Sequence, residues 1–307
     1  MATSTQQSPS FRISLGPLLY YWPRATVLQF YASVADSAVE RVYLGEAVCT
    51  RRHEMRHADW LDVGQMLREA GKQVVLSTPV LVESDSDIAV MRRVCAQDDY
   101  LVEANDLGAV RCMNRRPFVA GPHLNVYQAD TLAWLASLGA KACTVPIEMD
   151  GRTMAALSAA RPAGIELEAM VWGRMPLAFS ARCFTARHHR LRKDTCEFRC
   201  LEYPDGLVAD TGEGQAFFTL NGIQTQSATC LDLCTVVPEM AAAGIDLVRV
   251  SPHATGTFET VAHLDAIRHG MRAAAPSPVM PADATPSNGY WTGKPGIRWM
   301  EVEEARA

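Results

Sequence analysis

Short apolar, β-branched segments alternate with amphipathic segments along most of this 307-residue chain. Eight segments have the length and composition of buried strands. They are residues 11–15, 41–45, 73–78, 99–103, 117–121, 142–146, 165–171 and 247–251. Helical patterns separate most of them, at 25–35, 60–70, 87–96, 104–114, 128–137 and 151–160, and one more follows at 257–273. This alternation predicts an α/β fold, an eight-stranded (β/α)8 barrel of the TIM type.

An open, doubly wound sheet is the alternative architecture for the same alternation of strands and helices. The dinucleotide-binding half of such a sheet would carry G-x-G-x-x-G after its first strand, and no such motif follows residues 11–15. The chain length also fits a barrel of about 250 residues with an insertion. We therefore predict the closed barrel.

The connection between the seventh and eighth predicted strands is much longer than the others. It contains Asn221-Gly222 between alternating apolar residues, which indicates a β-hairpin. We therefore predict three parts: a barrel formed by 1–171 and 246–274, a cysteine-rich insertion with a β-hairpin at 172–245, and a proline-rich C-terminal tail at 275–307. The aromatic residues Tyr290, Trp291 and Trp299 are expected to pack the tail on the barrel.

Charge and hydropathy exclude several classes of protein. The net charge of −5 and the pI near 5.9 argue against a general nucleic-acid binder, which usually has a basic excess. The N-terminal residues have neither the positive nor the apolar region of a secretory signal. No apolar run approaches the roughly 18 residues that span a bilayer. We expect a cytoplasmic protein.

Three cysteines of the predicted insertion, Cys183, Cys196 and Cys200, lie close together in the spacing C-x12-C-x3-C. In a cytoplasmic protein, clustered thiols more often bind metal than form disulfides. The loops after the carboxyl ends of barrel strands share one face, and both Cys49 and Cys183 follow a predicted strand there. We therefore predict Cys49, Cys183, Cys196 and Cys200 as the ligands of one metal cofactor.

Four thiolates suit two kinds of centre, tetrahedral zinc and a four-iron, four-sulfur cluster. Structural zinc sites usually contain two close C-x2–4-C pairs, and here only Cys196 and Cys200 form one. One ligand from a distant loop and three from an insertion suit a cluster better, so the spacing favours the cluster. Zinc and unligated thiols remain the alternatives.

The other five cysteines are interpreted as buried residues. Cys95, Cys112 and Cys143 fall in or near helices or inside a strand, where a free thiol acts as a small hydrophobe. Cys230 and Cys234 belong to an apolar segment, 230–240, that is predicted to begin a helix and to place both on one buried face. Cys234 is the reserve candidate for the fourth ligand.

Six basic residues lie between Cys183 and Cys196. They are Arg187, His188, His189, Arg190, Arg192 and Lys193. A solvated loop is the simplest interpretation, and the alternative is that their positive charge offsets the thiolates or raises the potential of a cluster. A histidine ligand is not required if four cysteines converge.

Several polar side chains follow predicted strands and are expected at the mouth of the barrel. They are Glu46, His123, Asn125, Glu148, Ser251 and His253. His123 and His253 are candidate acid–base groups because histidine titrates near neutral pH, although structural roles are more common. The segment 20–22, Tyr-Tyr-Trp, is interpreted either as ordinary packing or as an aromatic floor for a ring substrate.

Residues 166–200 resemble the signature segment of the U32 (collagenase-like) peptidase family. In that family a glutamate and a glycine on one strand, here Glu168 and Gly173, lead into cysteines that bind an iron–sulfur cluster. Residues 232–234, 238–240 and 243–246 resemble its next block. The family often has a cysteine soon after the glycine, where this chain has Pro176, and Cys49 would supply the replacement.

Four further segments, 15–23, 42–49, 177–187 and 288–291, resemble the branch of this family that functions in ubiquinone biosynthesis without oxygen. The resemblance implies a 4Fe-4S cluster and a role in anaerobic ring hydroxylation of ubiquinone precursors. It also implies a heterodimer with a second family member, and a lipid-carrier protein for the prenylated precursor. Whether this chain is itself catalytic stays open, and no catalytic residue is assigned.

Three other functions are compatible with the same residues. A zinc-stabilised binding subunit would use the same four cysteines without redox chemistry. A hydroxylase component that modifies RNA is the second, because relatives in the family hydroxylate RNA, and the acidic pI argues against it. A peptidase is the weakest, because neither G-x-S-x-G nor H-E-x-x-H is present.

Overall fold

The computed structural model of the protein describes residues 10–271, 278–281 and 284–301. Its centre is a closed barrel of eight parallel strands, in which the last strand pairs with both the first and the seventh. The barrel strands are β1 (Arg12–Leu15), β2 (Arg41–Leu44), β3 (Gln73–Ser77), β4 (Leu101–Ala104), β5 (Phe118–Ala120), β6 (Ala140–Thr144), β7 (Glu166–Phe179) and β11 (Leu247–Val250). The predicted (β/α)8 barrel is confirmed.

Helices cover the outside of the barrel and bury apolar residues against it. They are α1 (Arg24–Ala35), α2 (His57–Glu69), α3 (Asp85–Cys95), α4 (Leu107–Met113), α5 (Ala129–Ser137), α6 (Gly151–Ala160), α8 (Val237–Ala242) and α9 (Thr257–Arg268). Ser84, Asp106 and Asp150 cap α3, α4 and α6 by accepting hydrogen bonds from backbone N–H groups of the first turn. No helix within the described ranges is long and apolar enough to cross a membrane.

The seventh strand extends well past its predicted end at residue 171. Beyond the barrel, β7 pairs antiparallel with β10 (Gln224–Asp232), which pairs in turn with β9 (Ala216–Asn221) and through it with β8 (Leu207–Asp210). The strand crosses residue 172, where we expected the insertion to begin, because its outer half gains a partner that the local apolar pattern does not reveal. The insertion therefore continues the barrel sheet.

The hairpin predicted around Asn221-Gly222 is present between β9 and β10. Asn221 pairs with Gln224, so the turn consists of Gly222 and Ile223. Gly222 has a φ of +64°, a left-handed conformation that glycine adopts without steric cost. This turn faces the loop after β7 and helps to build the site described below.

The described part of the tail packs on the body through one short strand and one turn. The strand β12 (Pro286–Ser287) pairs with β10, and Trp291 packs against Gly151 and the barrel core. Tyr290 also packs on the core, as expected, whereas Trp299 is 40% exposed. Residues 272–277, 282–283 and 302–307 of the predicted barrel end and tail lie outside the described residues.

Candidate functional site

The four predicted ligand cysteines lie together. Cys49, Cys183, Cys196 and Cys200 line one small cavity of about 20 Å³ beside the carboxyl ends of the barrel strands. Each is a free, half-buried thiol. The loop after β2 and the insertion after β7 therefore meet, and the cavity lies between them.

Cys49 is held by the carboxylate of Glu46. The backbone N–H groups of Val48 and Cys49 both donate to Glu46 Oε1, each at 3.1 Å. One carboxylate that binds two consecutive amides fixes the turn after β2. This fixed turn points the Cys49 side chain towards the insertion.

Cys183 is held at the start of α7 (Phe184–His188). Its Sγ accepts a hydrogen bond from the Ala186 N–H at 3.4 Å. The Phe184 N–H donates to the Gly222 carbonyl at 2.9 Å. The turn of the β9–β10 hairpin therefore fixes the position of this cysteine.

Cys196 and Cys200 flank a sharp bend. Glu197 and Phe198 have φ values of 50° and 53°, the left-handed conformation that reverses the chain direction locally. The Phe198 ring packs edge-on against His53, with ring centroids 4.4 Å apart. Because His53 follows Cys49 on the same loop, this contact ties the two cysteine-bearing segments together.

Arg52 lies buried beside the cysteines, with 2% of its side chain exposed. Its Nη1 donates to the Leu19 carbonyl at 2.7 Å and to Glu46 Oε1 at 3.3 Å. Its Nη2 donates to Asn221 Oδ1 at 2.6 Å. Sequence analysis missed Arg52 because the pair Arg51-Arg52 has the pattern of an exposed loop. Its position three residues after Cys49 was the available signal.

The thiols are electrostatically coupled to Arg52. Burial raises the pKa of Cys49, Cys183 and Cys200, and for Cys200 the result is about 11. The Arg52 guanidinium opposes this rise in the pKa of all three thiols. As free thiols they are therefore protonated at neutral pH, and a bound metal would be needed to keep them as thiolates.

The four cysteines are the metal-binding side chains that line this cavity. Among the residues that the structure describes, no three His, Cys, Asp or Glu side chains form a group that could hold a metal ion. His188 and His189 pack edge-on with ring centroids 5.1 Å apart, and His189 contacts the Tyr203 hydroxyl at 2.9 Å. The donor set at this cavity therefore consists of the four sulfurs.

A second, larger cavity of about 130 Å³ opens at the mouth of the barrel. Of the residues predicted there, His123, Asn125, Glu148 and Ser251 line it. Other polar residues that line it were not predicted, namely Glu103, Asn105, Thr144 and Arg249. These four were not predicted, because they occupy the last two positions of barrel strands or directly follow a strand, where a single polar residue beside an apolar run has no distinctive pattern.

His123 is a neutral side chain in this cavity. Burial, and then the nearby Arg249 charge, lower its pKa to about 4. Its ring packs edge-on against Phe179 at a centroid distance of 5.0 Å. A neutral imidazole at this position can donate or accept one hydrogen bond to a bound molecule.

A network of buried charges fills the barrel below the cavity. Arg249 donates to Glu168 Oε1 at 2.6 Å and to Glu103 Oε1 at 2.8 Å. Glu168 also accepts hydrogen bonds from Ser14 and Tyr43, and its side chain is fully buried. Burial alone would raise the pKa of Glu168, but the Arg249 and Arg41 charges outweigh it and lower the pKa. The signature glutamate is therefore part of the barrel interior.

The cavity at the barrel mouth and the cysteine cavity share an apolar wall. Leu19, Ala47, Val80 and Phe179 line the cavity at the mouth. The same four side chains belong to a cluster in which Cys49 and Cys183 are packed. One continuous apolar cluster therefore extends from the cavity at the barrel mouth to two of the cysteines.

Other predicted candidates have structural positions. His253 is buried, and its Nε2 accepts the Arg174 N–H at 3.1 Å, so it does not line the barrel mouth. Only glycine fits at position 173, because a Cβ there would lie 2.6 Å from the Cβ of Ser251. Tyr20 and Trp22 are buried against the insertion and donate to Gln226 and the Pro204 carbonyl. For residues 20–22, packing is the correct interpretation.

The remaining cysteines lie away from the four-cysteine cavity. Cys95 and Cys143 are buried, and Cys112 is half-buried. Cys230 and Cys234 are fully buried, but the predicted helix at 230–240 is wrong. Cys230 lies in β10, opposite Arg174 of β7, because this pairing prevails over the local apolar pattern, and the helix α8 begins only at Val237.

Fold and site together define a (β/α)8-barrel protein whose insertion after the seventh strand carries three clustered cysteines and meets a fourth from the loop after β2. The family model described as peptidase family U32 matches residues 26–278. The match covers most of the chain, and the protein belongs to this family.

Solved structures give more distant likenesses. The U32 peptidase Mk0906 is 13% identical, with 82% of this chain and 97% of that chain covered and a TM-score of 0.45. A putative fructose-1,6-biphosphate aldolase from Coccidioides immitis is 9% identical, with 86% and 88% covered and a TM-score of 0.38. The homocysteine methyltransferase MmuM from Escherichia coli is 12% identical, with 85% and 96% covered and a TM-score of 0.35.

Proposed function

We propose that this chain is a UbiV-like iron–sulfur protein of oxygen-independent ubiquinone biosynthesis. In this proposal Cys49, Cys183, Cys196 and Cys200 hold one 4Fe-4S cluster. The protein supports ring hydroxylation of ubiquinone precursors together with a UbiU-like partner and a lipid carrier for the prenyl tail. The observation that carries the proposal is the meeting of four cysteines, from two distant segments, around one cavity.

The donor set fits a cluster better than a single ion. In a zinc site all four sulfurs lie about 2.3 Å from one metal, so they converge on a point. In a four-iron cluster each cysteine binds a different iron, so the sulfurs surround a volume instead. The four cysteines here line a cavity, as the second arrangement requires.

Ion pairs hold the segment that carries Cys196 and Cys200, and their weakness allows this segment to adjust its position to a bound cluster. Lys193 pairs with Glu83, and Arg51 pairs with Asp194 at 3.2 Å. An exposed ion pair such as that of Arg51 with Asp194 contributes little, about 0 to 1 kcal/mol. The cavity can therefore widen from its present volume without loss of the buried contacts of Cys49 and Cys183.

The cavity at the barrel mouth has the size and walls for an aromatic ring. A cavity of about 150 Å³ lined by apolar side chains accommodates benzene, and this one has about 130 Å³. Its walls include Val80, Met170 and Phe179, and neutral His123 offers one hydrogen bond to a ring substituent. The Arg249 charge on its floor is balanced by Glu103 and Glu168, which favours an uncharged ring.

The shared wall gives the two cavities a functional relation. A bound cluster would supply one-electron chemistry, either to the ring or to the oxygen donor. Leu19, Ala47, Val80 and Phe179 keep water out of the space between them. In this proposal these side chains hold the ring, and His123 orients it.

The cofactor is tested by anaerobic purification, with iron, acid-labile sulfide and the visible spectrum measured for the wild type and for Cys49→Ala. We expect about four irons per chain and a broad band near roughly 400 nm, both lost in the variant. Cys112→Ala, a half-buried thiol away from the cavity, is the matched control and should retain iron. Stoichiometric zinc without sulfide would rule out the redox function.

The pathway assignment needs a separate test in cells. Ubiquinone is measured after growth without oxygen, in cells whose only copy of this protein is the wild type or Cys183→Ala. We expect ubiquinone in the first case and loss of it in the second. Normal ubiquinone with Cys183→Ala, or with no copy at all, would contradict the assignment even if the protein holds a cluster.

A further inference from the structure

We propose that Arg52 is a positioning residue that raises the reduction potential of the cluster held by the four cysteines. The inference rests on the proposed function, because it concerns the same cavity. It goes further in naming the one side chain whose charge would set the redox property of that cavity. Three observations carry it: the place of Arg52, the partners of its nitrogens, and the pairing of the other nearby cations.

The first observation is the place of Arg52 between the barrel and the insertion. The side chain is buried and lines the cysteine cavity. The four cysteines line the same cavity as this side chain. In a buried setting, water and salt screen an electrostatic interaction much less than at the surface.

The second observation is the pattern of its hydrogen bonds. Nη1 and Nη2 bind oxygen acceptors of Leu19, Glu46 and Asn221, which fixes the plane of the guanidinium. The buried Nε has no hydrogen-bond partner within the part of the chain that the structure describes. A buried donor without a partner is unfavourable, because it has lost its hydrogen bond to water. A thiolate at Cys200, which lines the same cavity as Arg52, would satisfy it.

The third observation excludes the exposed cations of the loop as the source of the field. Lys193 pairs with Glu83, and Arg199 pairs with Glu202 and Glu197. Arg51, the sequence neighbour of Arg52, is 39% exposed and pairs with Asp194. Arg52 also pairs with a carboxylate, Glu46, but that pair is buried. The pairs formed by Lys193, Arg199 and Arg51 are more exposed, so water and salt screen these charges more strongly.

The consequence follows from charge alone. Reduction adds one negative charge to the cluster, and a fixed positive charge nearby stabilises the reduced form more than the oxidised form. Removal of that charge therefore lowers the equilibrium constant for reduction. The effect also depends on the insertion, because Asn221 of the hairpin orients the Arg52 side chain.

The test is a redox titration of the anaerobically purified protein, followed by the cluster spectrum, for the wild type and three variants. We expect Arg52→Gln to reduce the equilibrium constant for reduction at least tenfold, which is 59 mV for a one-electron couple. Arg52→Lys keeps the charge and should recover most of the change. The matched control, Arg51→Gln, should change the constant less than twofold.

A measurement on the wild type covers the case in which Arg52→Gln does not retain its cluster. If a buried charge sets the potential, the equilibrium constant for reduction should change less than twofold between low and high salt. A tenfold fall with salt would assign the field to exposed cations and overturn the inference. An unchanged potential in an iron-replete Arg52→Gln would do the same.

The two levels of the proposal fail in different ways. A wild type without iron and sulfide would overturn the proposed function and the inference together. If the wild type holds a complete cluster whose potential does not depend on Arg52, only the inference would be overturned. The iron and sulfide content of each sample separates these outcomes.

Discussion

The side-chain oxygen of Asn221 accepts a hydrogen bond from Arg52 Nη2 at 2.6 Å, across 169 positions of sequence. The Asn221 amide also donates to the Leu19 carbonyl at 2.7 Å and to Gln224 Oε1 at 3.1 Å. One buried amide thus joins the loop after β1, the loop after β2 and the hairpin of the insertion. The position of the cysteines depends on this junction.

Asn221→Leu should destabilise the protein by about 2 to 3 kcal/mol, because it removes three hydrogen bonds and leaves buried polar partners unpaired. The free energy of unfolding in urea measures this cost. Gln215→Leu, at an exposed position of the same β-subdomain, is the control and should change it by less than about 0.5 kcal/mol. Equal effects of the two substitutions would contradict the structural role of Asn221.

Cys234→Ala should retain the full iron content of the wild type and lose about 1 kcal/mol of stability, because it removes one buried atom from the core. Cys183→Ala, by contrast, should lose iron with little effect on the stability of the metal-free protein, because its thiol is half-buried. Iron analysis and urea unfolding are compared for both variants. Loss of iron in Cys234→Ala would make that residue a ligand.

His123 should make the stability depend on pH between about pH 6.5 and pH 4. Its pKa is lowered in the folded state, so the unfolded state binds the proton first as the pH falls. The stability is complete above pH 6.5 and decreases towards pH 4, by about 1 to 2 kcal/mol at pH 5.

His123→Gln should remove this part of the pH dependence, and urea unfolding at pH 7, 6 and 5 measures it. Other groups also titrate in this range, so the informative quantity is the difference between wild type and variant. His269→Gln, at an exposed position, is the control and should preserve the wild-type slope. A parallel pH profile for His123→Gln would show that His123 titrates normally.

Glu168→Gln should destabilise the barrel by about 3 to 5 kcal/mol, because it leaves two buried arginines without their shared carboxylate. Thermal unfolding, or the yield of soluble protein, measures the effect. Glu213→Gln, in the exposed turn between β8 and β9, is the control and should be neutral. If Glu168→Gln is stable and loses only activity, Glu168 would instead take part in the reaction.

Much of the barrel could be predicted from local patterns. The strands of a parallel barrel are buried on both faces, so they appear as short apolar runs such as 73–78 and 247–251, and the helices between them show the usual amphipathic period. The strand β7 was predicted too short and Cys230 was assigned to a helix for one reason. Residues 172–179 form a strand because they pair with the segment that contains Cys230, and that segment is a strand for the same reason. No local pattern contains this pairing.

The candidate site could be predicted in part by the same logic. Cys49 was found from topology, because the loops after barrel strands share one face whatever their separation in sequence. His123 was found as a residue at the barrel mouth, but its lowered pKa depends on its burial and on Arg249, more than 100 positions away in the chain. The contact between Arg52 and Asn221 was missed, because no local pattern indicates a hydrogen bond between residues 169 positions apart.

The sequence by itself determined the barrel, the place of the insertion and the set of four cysteines, because each depends on periodicity, spacing or strand order. Only the tertiary structure decided which charges act on those cysteines, how the two cavities adjoin, and that Glu168 lies in a buried network. The physical reason is that burial and pairing between distant segments determine the strength of electrostatic interactions, and both arise only when the chain has folded.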